Sequence, residues 1–326
     1  MPAPPPLLDV TGTVSIADAR AIRLEVEQIL VATFGAERLD LALLHAGFEL
    51  VDRLFAGTHP GYLACDMPYH DLRHSLDTAL ITARIVAGCV RDGSGAAGSI
   101  TAEQGLLGVL LALLHDVGYL RETAEATLVG PQLMPEHEAR GVRFAERWLR
   151  TTTLAGSAPL ATLIEATRLG TDCERVFATH DASAVAVGSM LGSADLVSQI
   201  ADPWYIERCY HHLYPELVLA GLDRRRLPCG GEEPIYRDAL DLVAKTRGFC
   251  EAVIRDRLRS SFHPVAHGLA AYFGGADPYA DAIGRNLDRL ARIATDGGAG
   301  LIGGEPPTTT RDLASVYRDR RPRGDH

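Results

Sequence analysis

Two histidines and an aspartate share one face of a predicted helix near the first third of the chain. They are His70, His74 and Asp77 in the stretch MPYHDLRHSLDTAL. Positions i, i+4 and i+7 lie on the same side of an α-helix. Because imidazole and carboxylate groups lose hydration when they are buried, such a face requires a compensating partner or a functional reason.

Three more polar sites fall inside or beside apolar helical segments. His115-Asp116 ends the run LLGVLLALLHD, His137 lies in MPEHEARGVRFAERWL, and Asp195 lies in GSMLGSADLVSQI. Any one of them alone is more often a hydrogen-bonded core residue than a ligand. His74, His115-Asp116 and Asp195 follow the order His, His-Asp, Asp, and burying this set is costly without a cation. Imidazole and carboxylate are common ligands of divalent metals, so the set predicts a metal site.

The composition of the 326-residue chain narrows the class of protein. Hydrophobic residues make up 47% and aromatic residues 6%, and Ala, Leu and Val dominate, which favours helices over strands. The formal net charge of −10 argues against a nucleic-acid-binding protein. The sequence contains no run of the ~20 apolar residues that span a bilayer and no secretory signal at its start. We therefore expect a cytoplasmic protein without membrane or nucleic-acid partners.

Helical periodicity covers most of the chain and must position the polar sites. The sequence predicts a disordered Pro-rich arm over residues 1–14, one all-α domain over residues 15–300 and a flexible tail over residues 301–326. No alternating strand pattern is evident. Beyond the His137 motif, helices are predicted at 158–170, 182–200, 203–221, 234–259 and 278–294. The expected fold is a single-domain helical bundle with the metal site in its core.

The order of these motifs resembles the HD superfamily of metal-dependent phosphohydrolases, and within it the class I cyclic nucleotide phosphodiesterases. YHDLRHSLDT is similar to their Tyr-His-Asn-x-x-His-x-x-Asp-Val motif, LLHDVG to their His-Asp-Val stretch and MLGSADLVSQI to their Ala-Asp-Leu-Ser helix. HEARGVRF is similar to the segment after their paired histidines, and AKTRGFCEAVI to their Gln-x-Gly-Phe helix. The resemblance spans roughly residues 60–260 and implies an HD-domain bundle.

The resemblance implies two divalent metal ions, for which Zn, Mn, Fe and Mg are the candidates. Four residues match the ligands of the tightly bound ion: His74, His115, Asp116 and Asp195. Asp116 would also bridge to the second ion. His137 and Asp77 are candidates for contact with that ion or for hydrogen bonds to the ligands.

Three further residues match groups that handle the substrate. His70 matches the general acid, and Phe249 matches the aromatic residue that clamps the base. The purine-recognising glutamine of the animal enzymes corresponds to Thr246, which lacks the paired donor and acceptor of an amide. The motif's Asn is Asp71, and the family's second histidine after His-Asp-Val is absent. These departures place the chain beside the phosphodiesterases as a bacterial-type relative.

The sequence thus predicts a metal-dependent phosphohydrolase, and within that class a phosphodiesterase for a small nucleotide, cyclic forms included. A metal-activated water would attack phosphorus while protonated His70 donates to the leaving oxygen. Two other classes stay open. One is a di-iron oxygenase of the same superfamily, with His137 and His180 on the second metal; the other is a regulatory domain that binds metal or nucleotide without turnover. The oligomeric state is open, with a homodimer as a candidate.

Overall fold

The computed structural model describes residues 7–227, 230–296, 300 and 302–308, and these are mostly helical, so the all-α class is confirmed. The α-helices are α1 (Ala19–Phe34), α2 (Leu41–Phe55), α3 (Leu72–Asp92), α4 (Gly95–Gly98), α5 (Ala102–Leu114), α6 (His137–Leu149), α7 (Cys173–Phe177), α8 (Ala182–Ile200), α9 (Tyr205–Arg208), α10 (Tyr214–Ala220), α11 (Ala239–Val253), α12 (Gly268–Tyr272) and α13 (Pro278–Asp296). The longer 3-10 segments are Gly130–Glu136 and Ala155–Thr167, and π-helical turns occur at Cys209–Leu213 and Ile254–Ser261.

Three helices buried on all sides form the centre of the bundle. In α3 every residue from Arg73 to Cys89 is buried, and α5 and α8 have buried runs over residues 105–114 and 186–198. These helices pack directly on one another, with α1 and α12 also lying against α3. The apolar sequences of α5 and α8 predict this position, whereas α3 also buries charged residues such as Arg73 and Arg84.

Hydrogen-bonded caps set the beginnings of the central helices. The side chain of Asp71 accepts from the His74 N–H at the start of α3. Thr101 and Gln104 form a reciprocal capping box at the start of α5, and Asp181 accepts from the Ala184 N–H at the start of α8. Each cap satisfies backbone donors that a helix would otherwise leave unpaired.

A short antiparallel hairpin between α10 and α11 differs from the strand-free expectation. Strand β1 (Arg224–Arg226) pairs with β2 (Glu232–Pro234), with Arg225 opposite Glu233. The helix predicted from residue 234 begins instead after Asp238, which caps α11 by accepting from the Asp241 N–H. Strands of three residues are too short to show the alternation by which strands are recognised in a sequence.

Part of the arm predicted over residues 1–14 packs against the helices. Asp9 is buried and accepts from the Val14 N–H at 2.9 Å, and its other oxygen lies 2.8 Å from Arg84 Nη1 of α3. A guanidinium this deep in the bundle needs a carboxylate partner, and Asp9 provides it. Residues 1–6 lie outside the described residues.

Part of the predicted tail also contacts the bundle. The Gly303 N–H donates to Glu207 of α9 at 3.0 Å, and the Thr308 hydroxyl donates to Asp71 at 3.3 Å. Residues 302–308 therefore lie against the bundle near the beginning of α3. The remainder of the tail, residue 301 and residues 309–326, lies outside the described residues.

No single helix in the described ranges is long and apolar enough to cross a membrane. The pair formed by α8 and the segment Tyr205–Ala220 reaches that length and hydropathy only across a bend of 91°. Most of α8 is buried among the other helices of this chain.

The contact between α3 and α12 depends on a glycine. A Cβ at Gly88 would lie 1.8 Å from the carbonyl oxygen of Gly268, so alanine there must push the two helices apart. We expect Gly88→Ala to lower the free energy of unfolding by about 1–3 kcal/mol, measured by urea denaturation. Gly284→Ala is the matched control, because a Cβ at Gly284 in α13 meets nothing within 4 Å. There, alanine should stabilise the helix by up to ~1 kcal/mol, and equal effects at the two sites would contradict the close-contact explanation.

Candidate metal centre

The three central helices bring two imidazoles and two carboxylates to one point in the core. His74 lies in the first turn of α3, His115 and Asp116 follow the last turn of α5, and Asp195 lies in the second half of α8. All four side chains are buried. The packing of α3, α5 and α8 therefore converts positions far apart in the sequence into neighbours.

The donor atoms face one another at distances that suit a single cation. His74 Nε2 lies 3.2 Å from His115 Nε2 and 3.1 Å from Asp195 Oδ1. Asp116 Oδ2 lies 3.4 Å and 3.3 Å from these two nitrogens. Ligands about 2.1 Å from a shared ion, at tetrahedral or octahedral angles, are roughly 3.0–3.5 Å apart. The group His74, His115 and Asp195 could therefore hold a metal ion, and Asp116 lies beside both imidazoles.

When the two imidazoles are neutral, hydrogen bonds on their far sides leave both Nε2 atoms as acceptors. His115 Nδ1 lies 2.7 Å from the Ala112 carbonyl oxygen and must donate to it. The Ser198 hydroxyl donates to the Asp195 carbonyl oxygen at 2.8 Å, and it therefore accepts from His74 Nδ1 at 3.2 Å. This support on the outer nitrogen is the usual arrangement of histidines that bind metals.

Without a positive charge, the centre would hold opposing lone pairs. Two imidazole nitrogens face each other and two carboxylates, and Asp116 Oδ2 has no hydrogen-bond donor in the described part of the chain. Burying such a set is unfavourable unless a cation compensates it. The residues present thus fit a divalent metal by their chemistry as well as by their spacing.

The electrostatic balance shows the same demand for positive charge. Burial alone would lower the pKa of His115, but the carboxylates of Asp116 and Asp195 outweigh it and raise that pKa well above its usual value. Burial would raise the pKa of each carboxyl, but the imidazoles hold both pKa values far below the usual range. For His74, burial prevails and the pKa is lowered. The carboxylates therefore stay ionised, and a bound cation would replace the proton that they otherwise favour on His115.

His70 lies before α3 and is held by a buried glutamate. Its Nδ1 lies 2.7 Å from Glu216 Oε2, and the other Glu216 oxygen accepts from the Tyr69 N–H at 2.7 Å. Burial alone would lower the pKa of His70, but the Glu216 carboxylate outweighs it and raises the pKa above its usual value. With Nδ1 held by Glu216, Nε2 is the nitrogen from which a protonated His70 can donate.

Sequence reasoning missed Glu216. It lies in α10, 146 residues after His70, and is completely buried. The one local indication is a glutamate inside the largely apolar run YPELVLAG. A charged residue inside an apolar segment points to burial, but its partner cannot be read from the neighbouring residues.

A stack of three rings joins His70 to His137. The Tyr119 ring lies between them, with centroids 4.6 Å from His70 and 4.0 Å from His137. His137 Nδ1 lies 2.7 Å from the Met134 carbonyl oxygen and donates to it. Within the described residues, His137 is not part of the group that could hold a metal ion. It lines the cavity beside that group.

The structure places two other candidates away from the donor group. Asp77 is buried, burial raises its pKa to about 7, and its Oδ1 has no hydrogen-bond partner in the described part of the chain. The metal-binding group does not include it. His180 is half-buried just before α8, with Nε2 at 3.3 Å from the Thr162 hydroxyl. His180 therefore bonds to Thr162, and it does not line the cavity that the metal centre faces.

A cavity of about 430 Å³ opens beside the donor group. His70, His115, Asp116 and Asp195 line one end of it. Both candidates for substrate contact also lie on its wall. Phe249 is 42% exposed, whereas Thr246 is buried and donates its hydroxyl to the Leu242 carbonyl oxygen at 2.9 Å. The cavity thus connects the metal centre to solvent.

Comparisons with known proteins give no family for this chain. No family model matches the sequence, no curated protein matches it, and no solved structure matches the fold. The resemblance to HD phosphohydrolases therefore remains a prediction based on motifs. The geometry of the donor group supports a metal site independently of that resemblance.

Proposed function

We propose that this protein is a metal-dependent phosphohydrolase of the HD type, and within that class a phosphodiesterase. The observation that carries the proposal is the convergence of His74, His115 and Asp195 on one point, with Asp116 beside both imidazoles and His70 on the wall of the adjoining cavity. Imidazole and carboxylate donors suit the divalent ions used for phosphoester hydrolysis. The cavity volume also falls in the range of ~300–1,000 Å³ that is usual for small-molecule sites.

Each residue of the centre has a part in the proposed reaction. His74, His115, Asp116 and Asp195 would hold a divalent cation, and Asp116 would be shared with a second one. When bound, the cation supplies a Lewis acid for phosphoryl oxygens and lowers the pKa of a water molecule. Protonated His70 donates from Nε2 to the leaving oxygen. Glu216 orients the His70 ring and favours its charged form.

The proposal is tested by metal analysis combined with a hydrolysis screen. The purified protein is loaded separately with Zn, Mn, Fe and Mg. It is then assayed on aryl and alkyl phosphodiesters, cyclic mononucleotides, linear dinucleotides and nucleoside monophosphates. Hydrolysis that depends on bound metal supports the proposal, and metal-loaded protein inactive on every ester class contradicts it. Oxygen consumption by the iron form would favour the oxygenase alternative, although His180 bonds to Thr162 rather than lining the cavity.

Glu216 should set the pH at which activity falls. Its carboxylate raises the pKa of His70, so replacing it with a neutral amide lowers that pKa. A general acid must be protonated to act, and activity is lost as pH rises through its pKa. We therefore expect the alkaline limb of the kcat profile to move to lower pH in Glu216→Gln. Glu207→Gln is the control, since Glu207 is equally buried but pairs with Arg289. An unmoved limb would exclude His70 as the titrating acid.

A further inference from the structure

Exposed apolar side chains surround the mouth of the cavity. Five large hydrophobic residues are exposed in the described part of the chain, and three of them, Leu169, Leu222 and Phe249, line the cavity. A fourth, Ile235, is next to Tyr236 of the cavity wall in the sequence, and Leu24 lies on α1. Single exposed hydrophobics are ordinary, but a cluster around one opening indicates a binding surface.

The wall remains apolar between the mouth and the metal end. Leu196, Ile200, Leu213, Leu217 and Leu242 face this part of the cavity. They come from α8, the π-helical turn Cys209–Leu213, α10 and α11. An apolar group placed here would leave water on binding, which is the main favourable contribution of such walls to affinity.

The side-chain amide and the Thr246 hydroxyl of this wall already have hydrogen-bond partners. The Gln199 amide donates to Asp195 Oδ1 at 2.8 Å and accepts from the Tyr69 hydroxyl at 3.0 Å. The hydroxyl of Thr246 is used by the Leu242 carbonyl oxygen. Reading the edge of a nucleobase requires donors and acceptors that are free to turn toward it. Breaking these bonds would leave buried partners unpaired.

The two cations of the wall are also paired. Lys245 Nζ lies 2.8 Å from Asp241 Oδ2, and Arg168 Nη2 lies 3.1 Å from Glu138 Oε2. Additional phosphates, as in a nucleoside triphosphate or a dinucleotide, would need cations that are not already neutralised. The cavity therefore suits one phosphoryl group at the metal end and an uncharged body elsewhere.

We infer that the substrate is a phosphoester whose organic part is an apolar alkyl or aryl group lying in this cavity. The inference deepens the proposed function and rests on it. Hydrolysis forms a bond from a water oxygen to phosphorus and breaks the bond from phosphorus to the ester oxygen. The proton from His70 goes to that oxygen, so the alcohol leaves. The attacking water releases one proton to solvent and His70 takes one up, so the step balances without an oxidant or reductant. At ~30 Å³ per water-sized group, the cavity accommodates roughly a dozen non-hydrogen atoms.

Binding of non-hydrolysable n-alkylphosphonates tests the inference without turnover. Metal-loaded protein is titrated calorimetrically with the butyl, hexyl and octyl compounds, and with adenosine monophosphate for comparison. Each buried methylene should tighten binding about three- to fourfold, with an increasingly negative heat-capacity change. Affinity independent of chain length, or tighter binding of adenosine monophosphate than of octylphosphonate, would overturn the inference.

Two exposed leucines provide a matched pair of variants. Leu222 at the mouth is 40% exposed and Leu24 on α1 is 43% exposed. Leu222→Asp should weaken octylphosphonate at least tenfold and butylphosphonate less, because the longer chain reaches the mouth. Leu24→Asp should bind both as the unmodified protein does. Equal weakening by the two variants would show that the mouth makes no specific contact.

The hydrolysis of methyl and octyl phosphoesters distinguishes a failure of this inference from a failure of the proposed function. If octyl esters are hydrolysed with a kcat/KM at least a hundredfold above methyl esters, both are supported. Metal-dependent hydrolysis without chain-length preference would support the phosphohydrolase proposal and contradict the inference of an apolar substrate. If phosphonate binding depends on chain length but no metal form hydrolyses the esters, the inference of an apolar ligand is supported and the phosphohydrolase proposal is contradicted.

Discussion

We expect the replacement of either His74 or Asp116 with alanine to remove the bound metal and to reduce phosphoester hydrolysis to the background rate. Each substitution deletes one donor from a group spaced 3.1–3.6 Å apart, and the remaining buried donors cannot complete the site. Metal content after dialysis, measured by elemental analysis beside kcat/KM, checks the expectation. Asp116→Asn keeps the shape of the side chain without its charge, and we expect it to lose metal as well, because the ligand charge is what attracts the cation.

A buried neighbour on the same helix separates loss of a ligand from loss of packing. Ser75 adjoins His74 in α3, is fully buried, and its hydroxyl has no hydrogen-bond partner among the described residues. Ser75→Ala should keep both metal and turnover. Added metal should raise the melting temperature of the unmodified protein and of Ser75→Ala. At a free metal concentration a hundredfold above Kd, the free energy of unfolding should rise by about 2.7 kcal/mol. The same response in His74→Ala would show that His74 is not a ligand.

His70→Ala should keep its metal and its fold but lose about 10²–10⁴-fold in turnover on alkyl esters, the usual contribution of general acid catalysis. His70 lies on the cavity wall and is held by Glu216, while the donor group is built from other residues. The loss should shrink on an aryl phosphodiester, because an acidic leaving group departs with little protonation. Single-turnover rates on matched alkyl and aryl esters, with metal content alongside, measure this difference.

The histidine at the other end of the ring stack is the comparison for His70. His137 also lines the cavity, but its Nδ1 donates to the Met134 carbonyl oxygen at 2.7 Å, and the nearby Glu138 carboxylate lies farther away, at 3.3 Å. We expect His137→Ala to reduce turnover by similar factors on alkyl and aryl esters. If His70→Ala reduced turnover by the same factor on both esters, His70 would not be the general acid. Loss of metal in that variant would make His70 a ligand instead.

Local sequence determined most of the helical framework. The all-round apolar runs of α5 and α8 indicated burial, and Asp71, Thr101 and Asp181 are typical caps at helix starts. The order His, His-Asp, Asp indicated a metal site because these residue types are costly to bury without a cation. Such conclusions need only the helical period and the chemistry of individual side chains, and both can be read from the sequence itself.

Tertiary packing decided which polar groups meet. Glu216 reaches His70 only because α10 lies beside the segment that precedes α3, and Asp9 holds the arm in place only because Arg84 is buried beneath it. The segment predicted as a helix at 158–170 is instead a 3-10 helix, Ala155–Thr167, with Pro159 inside it. Proline removes a backbone donor and restricts the turn before it.

The character of the cavity likewise comes from packing and not from any motif. The Thr246 hydroxyl and the Gln199 amide look available for recognition in the sequence, yet both are engaged by neighbours that only the fold supplies. A residue's type limits what it can bind, whereas burial and competing partners decide what it does bind. Those competing partners lie on other helices or one turn away on the same helix, so their effect is settled only when the helices have packed.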